Sequence, residues 1–287
     1  MFYHDKKLMY DVKVDGGDPQ FAQMLLEQFG GATGELSAAL TYWTQSFHVE
    51  DKAIRDMLHD IAIEEFSHLE MVGRMIEQHT EKGTGAAKDA AYKSTLFAVR
   101  GIGPHLVDSQ GQAWTSAYVN EGGNVVRDLR ADIAAEAGAR QTYEALAKLA
   151  PDEGSKKALT FLLTREISHT HMFMKALESL GKLTDPLFGN VKPDETVDLY
   201  FNLSKDGPLD CRGPWNSEPA FRYVEKPEPQ GQLPQEVQNP DDERGHPGDG
   251  SQHTVSQIPG GQTRDPNNPA RQHPDLTRST AERNPVR

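Results

Sequence analysis

Apolar residues recur at helical spacing in four long stretches of the chain. The first opens at Asp18-Pro19, a capping side chain followed by Pro at the first helical position, and runs through Phe21, Leu25, Phe29, Leu36, Leu40 and Trp43 to about Phe47. The second starts near Asp51 and carries Ile54, Leu58, Ile61, Leu69, Val72 and Ile76. The third spans about Asn120 to Leu149, with Val125, Leu129, Ile133 and Leu146 facing one way. The fourth follows Pro151-Asp152, carries Leu159, Leu162, Ile167, Phe173 and Leu177, and stops at Gly181, a natural C-terminal cap. At 1.5 Å per residue, each is a helix of roughly 40 Å.

The connections decide how these helices are arranged. Short turns around Glu50 and Pro151 make antiparallel hairpins of the first and last pairs, and Glu81 to Val119 form one long crossover between them. This describes an all-α, ferritin-like four-helix bundle. Leu8, Tyr10, Val12 and Val14 alternate ahead of the first helix, so a short ribbon is predicted there. From Glu225 to Arg287 there are ten Pro, six Gly and no aromatic residue. Such a segment cannot bury enough apolar surface to offset its ordering entropy. The expected division is a folded domain over 1–224 and an extended, Pro-rich C-terminal arm over 225–287.

A formal net charge of −13 argues against nucleic acid or an anionic membrane as partner. The lone Cys211 can form neither an internal disulfide nor a Cys-based metal site. The opening MFYHDKKLMYDVKV has no continuous apolar run, and no stretch is long and apolar enough for a membrane span. A cytoplasmic setting is expected.

Two Glu-x-x-His units stand out: Glu65-Phe66-Ser67-His68 and Glu166-Ile167-Ser168-His169. Residues three apart on a helix share a face, so each unit points a carboxylate and an imidazole the same way. In an antiparallel hairpin, positions equidistant from the turn lie at one level. Reflecting Glu65 through Glu50 lands on Glu35, and reflecting Glu166 through Pro151 lands on Glu136. Both reflected glutamates have small neighbours, Gly34 and Ala134-Ala135-Glu136-Ala137-Gly138, which leave room at the bundle centre. One Glu from each of two helices and a Glu-x-x-His from each of the others is the ligand set of dinuclear carboxylate bundles. Four buried carboxylates are tolerated only beside cations. Glu and His suit manganese and iron almost equally. A diiron oxidase or peroxidase, or a storage or structural shell protein, is therefore also compatible with these residues.

At these positions the sequence resembles the manganese (non-haem) catalases. The likeness is carried by LLEQFGGATGELSAALTYWTQ around Glu35, EEFSHLEM with Glu65 and His68, AEAGAR with Glu136, TREISHTHMF with Glu166 and His169, and GPWN at 213–216, and covers about residues 1–224. The resemblance implies disproportionation of hydrogen peroxide at two manganese ions per chain. By carry-over, Glu35 and His68 bind one ion, Glu136 and His169 bind the other, and Glu65 bridges them. Glu166 matches a position that moves protons, and Tyr42 a tyrosine that hydrogen-bonds a ligand. Some members carry a basic residue where this chain has Ala135. Some also bind calcium between subunits, and Asp56, Asp60 and Asn216 match ligands of that site. The family further implies a homohexamer, with the C-terminal arm running along neighbouring chains.

Overall fold

The computed structural model describes residues 3–81, 94–189, 191–203, 213–216, 219 and 221–225. The chain divides into two compact units, Met1–Phe188 and Gly189–Arg287. The composition shift at Glu225 falls inside the second unit. Residues 226–287, where the arm is expected, and Cys211 lie outside the described residues.

The first unit is helical. Its elements are α1 (Pro19–Gly30), α2 (Glu35–Ser46), α3 (Lys52–Glu81), a short α4 (Thr95–Arg100), α5 (Val125–Leu149) and α6 (Glu153–Ser179). Side-chain caps set most of the starts. Asp18 accepts from the N–H groups of Gln20 and Phe21, Asp51 from Ala53 and Ile54, Asn124 from Val126 and Arg127, and Asp152 from Ser155. Gly181, with φ +67°, closes α6 in the left-handed region, as expected. Helix α3 packs along α1 and α2, α5 along α6, and α3 also meets α6.

The predicted single helix from Pro19 to Phe47 is two helices of 12 residues each. The chain breaks across Gly31–Gly34 because the turn folds tightly back on α1. A Cβ on Gly31 would fall 2.2 Å from the Glu27 carbonyl oxygen, and one on Gly34 2.7 Å from that of Gln28. The apolar stripe continues across the break, which is why periodicity alone reads it as continuous. Helix α2 also turns a different face inward. Ser37, Thr41 and Gln45 are buried, whereas Leu36 and Leu40 are half-buried and Trp43 is exposed. The polar face is covered by the crossover. Trp114 Nε1 donates to Ser37 Oγ, Asn120 N–H donates to Thr41 Oγ1, and Gln45 Nε2 donates to the Asn120 carbonyl.

Three further expectations are corrected. The third long helix begins at Val125, because Asn124 is its cap. Ile167, counted on the apolar stripe of the fourth helix, is exposed. The segment Leu8–Val14 is not a strand, although Val12 and Val14 are buried. Its partner is a side chain: Gln78 Oε1 accepts from Val14 N–H and Gln78 Nε2 donates to the Val12 carbonyl, both at 3.1 Å. The alternation of burial is real, but one glutamine amide supplies the bonds a neighbouring strand would have made.

The second unit holds a two-stranded parallel pair, β1 (Leu199–Phe201) with β2 (Arg222–Val224), and a 3-10 turn at Pro214–Asn216.

The apolar core of the bundle lies in two clusters. One gathers Phe21, Leu25 and Leu26 with Met75, Ile76, Tyr143, Leu159 and Leu162. The other gathers Tyr42, Leu58, Ile61, Leu129, Phe173 and Leu177. Along α3 and α6 the polar residues Glu65, His68, Glu166 and His169 fall between the two clusters. Charged groups are thus sealed at mid-bundle with hydrocarbon above and below.

Candidate metal centre

Each helix presents its candidate ligand residues for a local reason. The break before α2 makes Glu35 the first residue of that helix, where a carboxylate is favoured by the exposed N–H groups. Glu65 and His68 on α3, and Glu166 and His169 on α6, share inward faces by their three-residue spacing. Glu136 projects inward from α5. All six are at most 1% exposed.

The structure brings them into one cluster. Glu65 lies at its middle: Oε2 is 2.9 Å from His68 Nδ1 and Oε1 is 2.7 Å from His169 Nδ1. His68 Nδ1 is also 3.8 Å from Glu35 Oε2 and 3.5 Å from Glu166 Oε1, and His169 Nδ1 is 3.7 Å from Glu136 Oε1. The imidazole rings stack with centroids 5.6 Å apart. Two overlapping sets have ligand atoms within 4.8 Å of one another: Glu35, Glu65, His68 and Glu166, and Glu65, Glu136, Glu166 and His169. Both share Glu65 and Glu166.

The electrostatics show how much charge is confined. Burial drives the Glu35 carboxyl well above the ordinary carboxylate range, and the Glu65 charge adds to it. Burial and then the charges of Glu65, Glu35 and Glu136 do the same to Glu166. Burial also opposes the ionised form of Glu65, but the two imidazoles outweigh it and hold this group low. Burial opposes protonation of His169, yet Glu136, Glu64 and Glu65 push it up to about 11. Without cations, protons balance the cluster; metal binding would displace them.

A pair of divalent ions fits this donor set. Glu65 Oε1, Glu136 Oε2, Glu166 Oε1 and His169 Nδ1 are buried and make no hydrogen bond, a condition native interiors rarely leave uncompensated. The 2.7 Å approach of Glu65 Oε1 to His169 Nδ1 lacks hydrogen-bond alignment. Oxygen and imidazole donors suit manganese or iron.

The match to known proteins decides between them. Residues 1–258 match the family of manganese-containing catalases. The chain belongs to the manganese catalases. Crystal structures of KatB, a manganese catalase from Anabaena, are 70% identical and superpose with a TM-score of 0.74, covering 79% of this chain and 100% of that one. A protein of Clostridium acetobutylicum named a probable manganese catalase is 36% identical over 224 residues, covering 77% of this chain and 98% of the relative. The manganese catalase of Lactiplantibacillus plantarum is 31% identical over 252 residues, covering 82% and 95%. The reaction of this catalase is the disproportionation of hydrogen peroxide to water and dioxygen at a dimanganese centre.

Around this cluster, the structure adds Tyr143, Glu64 and Arg165, which sequence reasoning missed, beside Tyr42, which it named. Tyr42 Oη donates to Glu136 Oε1 at 2.6 Å, and the Tyr143 hydroxyl donates to Glu35 Oε1. Tyr143 had a legible signal. Glu136, Tyr143, Glu166 and His169 each stand 101 positions after Glu35, Tyr42, Glu65 and His68. The hairpins are internally duplicated in their chemistry, and each tyrosine serves the other hairpin's glutamate. Glu64 and Arg165, also 101 positions apart, are paired beside the histidines.

The remaining candidates lie elsewhere. Asp56 and Asp60 are exposed, one turn apart on α3. Asn216, in the second unit, is buried and its Oδ1 accepts from Gly213 N–H. His79 is buried between two helix starts; Asp18 N–H donates to its Nδ1, and its Nε2 bonds Ser155 Oγ.

Proposed function

We propose that the dimanganese centre of this catalase consists of two ions per chain, held by Glu35 and His68 on one side and Glu136 and His169 on the other, with Glu65 between them. The observation that carries this reading is the position of Glu65, whose two oxygens each face the Nδ1 atom of a different histidine. When bound, the ions supply the two-electron capacity of the reaction.

The chain's own groups handle binding and protons. Oxidation of one peroxide to dioxygen releases two protons and two electrons; reduction of a second to two waters consumes both. Glu166 is the proton carrier in this reading. Its Oε1 makes no hydrogen bond, and its neighbours favour the protonated form. It can accept a proton from the first peroxide and return it to the second. Tyr42 and Tyr143 fix the outer glutamates by donating to one oxygen of each, and Glu136 Oε2 makes no hydrogen bond.

Three further parts of the reading rest on the family. A calcium ion at Asp56 and Asp60 is supported by the one-turn spacing of two exposed carboxylates. A homohexamer is supported by the aromatic cluster of Trp43, Phe47 and His59, in which Phe47 is 65% exposed. A cytoplasmic setting accords with the single cysteine, and no described helix is long and apolar enough to cross a membrane.

The test is oxygen release from hydrogen peroxide by purified protein, with metal analysis and absorption spectra. Activity with about two manganese per chain and no haem band is expected. Full activity with iron alone would sink the reading.

A further inference from the structure

We infer that Glu64, clamped by Arg165, is a single positioning carboxylate shared by both metal-ligating histidines. It faces the Nε2 atoms of His68 and His169, so that both rings present Nδ1 to the ions. This rests on the proposed ligand set.

The geometry is two-sided. Glu64 Oε1 lies 3.5 Å from His68 Nε2 and Oε2 lies 3.3 Å from His169 Nε2. Neither Nε2 makes an aligned hydrogen bond, to Glu64 or to any other group, and both rings are fully buried. On the opposite edge of each ring, Nδ1 points at Glu65. The two histidines are thus held between two carboxylates that are sequence neighbours. Glu65 faces the inner edges and Glu64 the outer edges.

Arg165 holds the outer carboxylate in place. Its Nε donates to Glu64 Oε1 at 2.5 Å and its Nη2 to Glu64 Oε2 at 3.4 Å. Each carboxylate oxygen therefore meets one arm of the guanidinium and one imidazole. Ligating histidines generally give their second N–H to a carboxylate or carbonyl, which fixes the tautomer and strengthens the donor nitrogen. Separate partners for each ring would tune the two ions independently. One shared acid ties both together, so its loss is felt at both.

The duplication of the hairpins explains why there is only one. Glu64 and Arg165 occupy equivalent positions, each immediately before the glutamate of a Glu-x-x-His unit. Two acids there would face each other across the same contact. An acid on one helix and a base on the other turn that repulsion into a pair. One carboxylate, four residues before His68 and beside His169, then serves both rings.

The experiment compares manganese affinity and imidazole nitrogen spin-echo modulation in the manganese-loaded full-length protein. The variants are Glu64→Gln, Arg165→Met and the exchange Glu64→Arg with Arg165→Glu. Glu64→Gln offers one carbonyl and one amide where two acceptors were needed. Its affinity is expected to fall about 10–100-fold, with altered nitrogen couplings. Arg165→Met breaks the same ion pair but leaves the acid on the rings, so it should lose far less. The exchanged protein returns one acid to an equivalent position and should bind two ions nearly as the original does. Equal losses in Glu64→Gln and Arg165→Met would reduce the pair to an ordinary salt bridge and overturn the inference. Wild-type affinity and couplings in Glu64→Gln would also overturn it. If Glu64→Gln does not fold, the exchange decides: weak binding or failure to fold there overturns the inference too. An original protein that binds no manganese would instead sink the ligand set.

Discussion

The Tyr42 hydroxyl donates to Glu136 Oε1 at 2.6 Å, reaching from the second helix of one hairpin half to the first helix of the other hairpin. Tyr143 returns the same contact to Glu35. Each outer glutamate is therefore oriented by the opposite hairpin, and docking of the two hairpins assembles both halves of the cluster at once.

Removing either phenol should cost the same kind of function. Tyr42→Phe and Tyr143→Phe each delete one hydrogen bond to a buried carboxylate, worth roughly 1.5–3 kcal/mol. Manganese retention under chelator challenge should fall in both, by similar factors. Retention equal to wild type in either variant would show that its hydrogen bond orients nothing.

Glu65→Ala should empty the centre. The change removes the group that faces both Nδ1 atoms and leaves a cavity among three remaining acids. Atomic emission analysis should find manganese near background, with the helical circular dichroism preserved. Wild-type occupancy in this variant would falsify the bridging assignment.

Glu166→Gln should separate proton handling from binding. The amide keeps the shape but cannot exchange a proton at neutral pH. Turnover should drop by about 10²–10⁴-fold while the fold is kept. If manganese content and rate both stay near wild type, Glu166 is only structural.

Gly31→Ala should damage the centre from a distance. The new methyl meets the Glu27 carbonyl oxygen and forces the α1–α2 turn to open. Overpacking of this kind costs roughly 1–3 kcal/mol, and it displaces Glu35, four residues on. Thermal unfolding should shift down and manganese affinity should fall together; an unaffected affinity would mean that the turn does not position Glu35.

The start of α6 should give acid sensitivity. Partial burial opposes ionisation of Asp152, but the Ser155 N–H and hydroxyl outweigh it and hold this carboxyl below its usual range. A depressed acid stabilises the fold above its unfolded pKa and loses that contribution as pH falls through the folded value. Asp152→Ala should therefore cost about 1 kcal/mol at neutral pH, and the difference should shrink as pH falls below the ordinary carboxylate range. Melting temperatures of both proteins against pH check this.

The residues that the amino-acid sequence settled alone are those whose relations are local or follow from hairpin symmetry. Helical periodicity puts Glu65 with His68 and Glu166 with His169, and equal distance from a turn puts Glu35 and Glu136 at their level. Those relations depend only on 3.6 residues per turn and on antiparallel pairing. The capping residues Asp18 and Asp152, and Gly181, are legible for the same reason. Tertiary structure decided what depends on how surfaces meet. The break at Gly31–Gly34 arises from carbonyl oxygens that leave no room for a Cβ, and an unbroken apolar stripe hides it. The Leu8–Val14 segment alternates like a strand, yet its bonds come from Gln78, a side chain more than sixty positions away. Glu64 reads as one more acid in a charged helix. Only the approach of α3 to α6 sets its two oxygens against two imidazoles and an arginine, because a side chain's partners across an interface depend on direction as well as spacing.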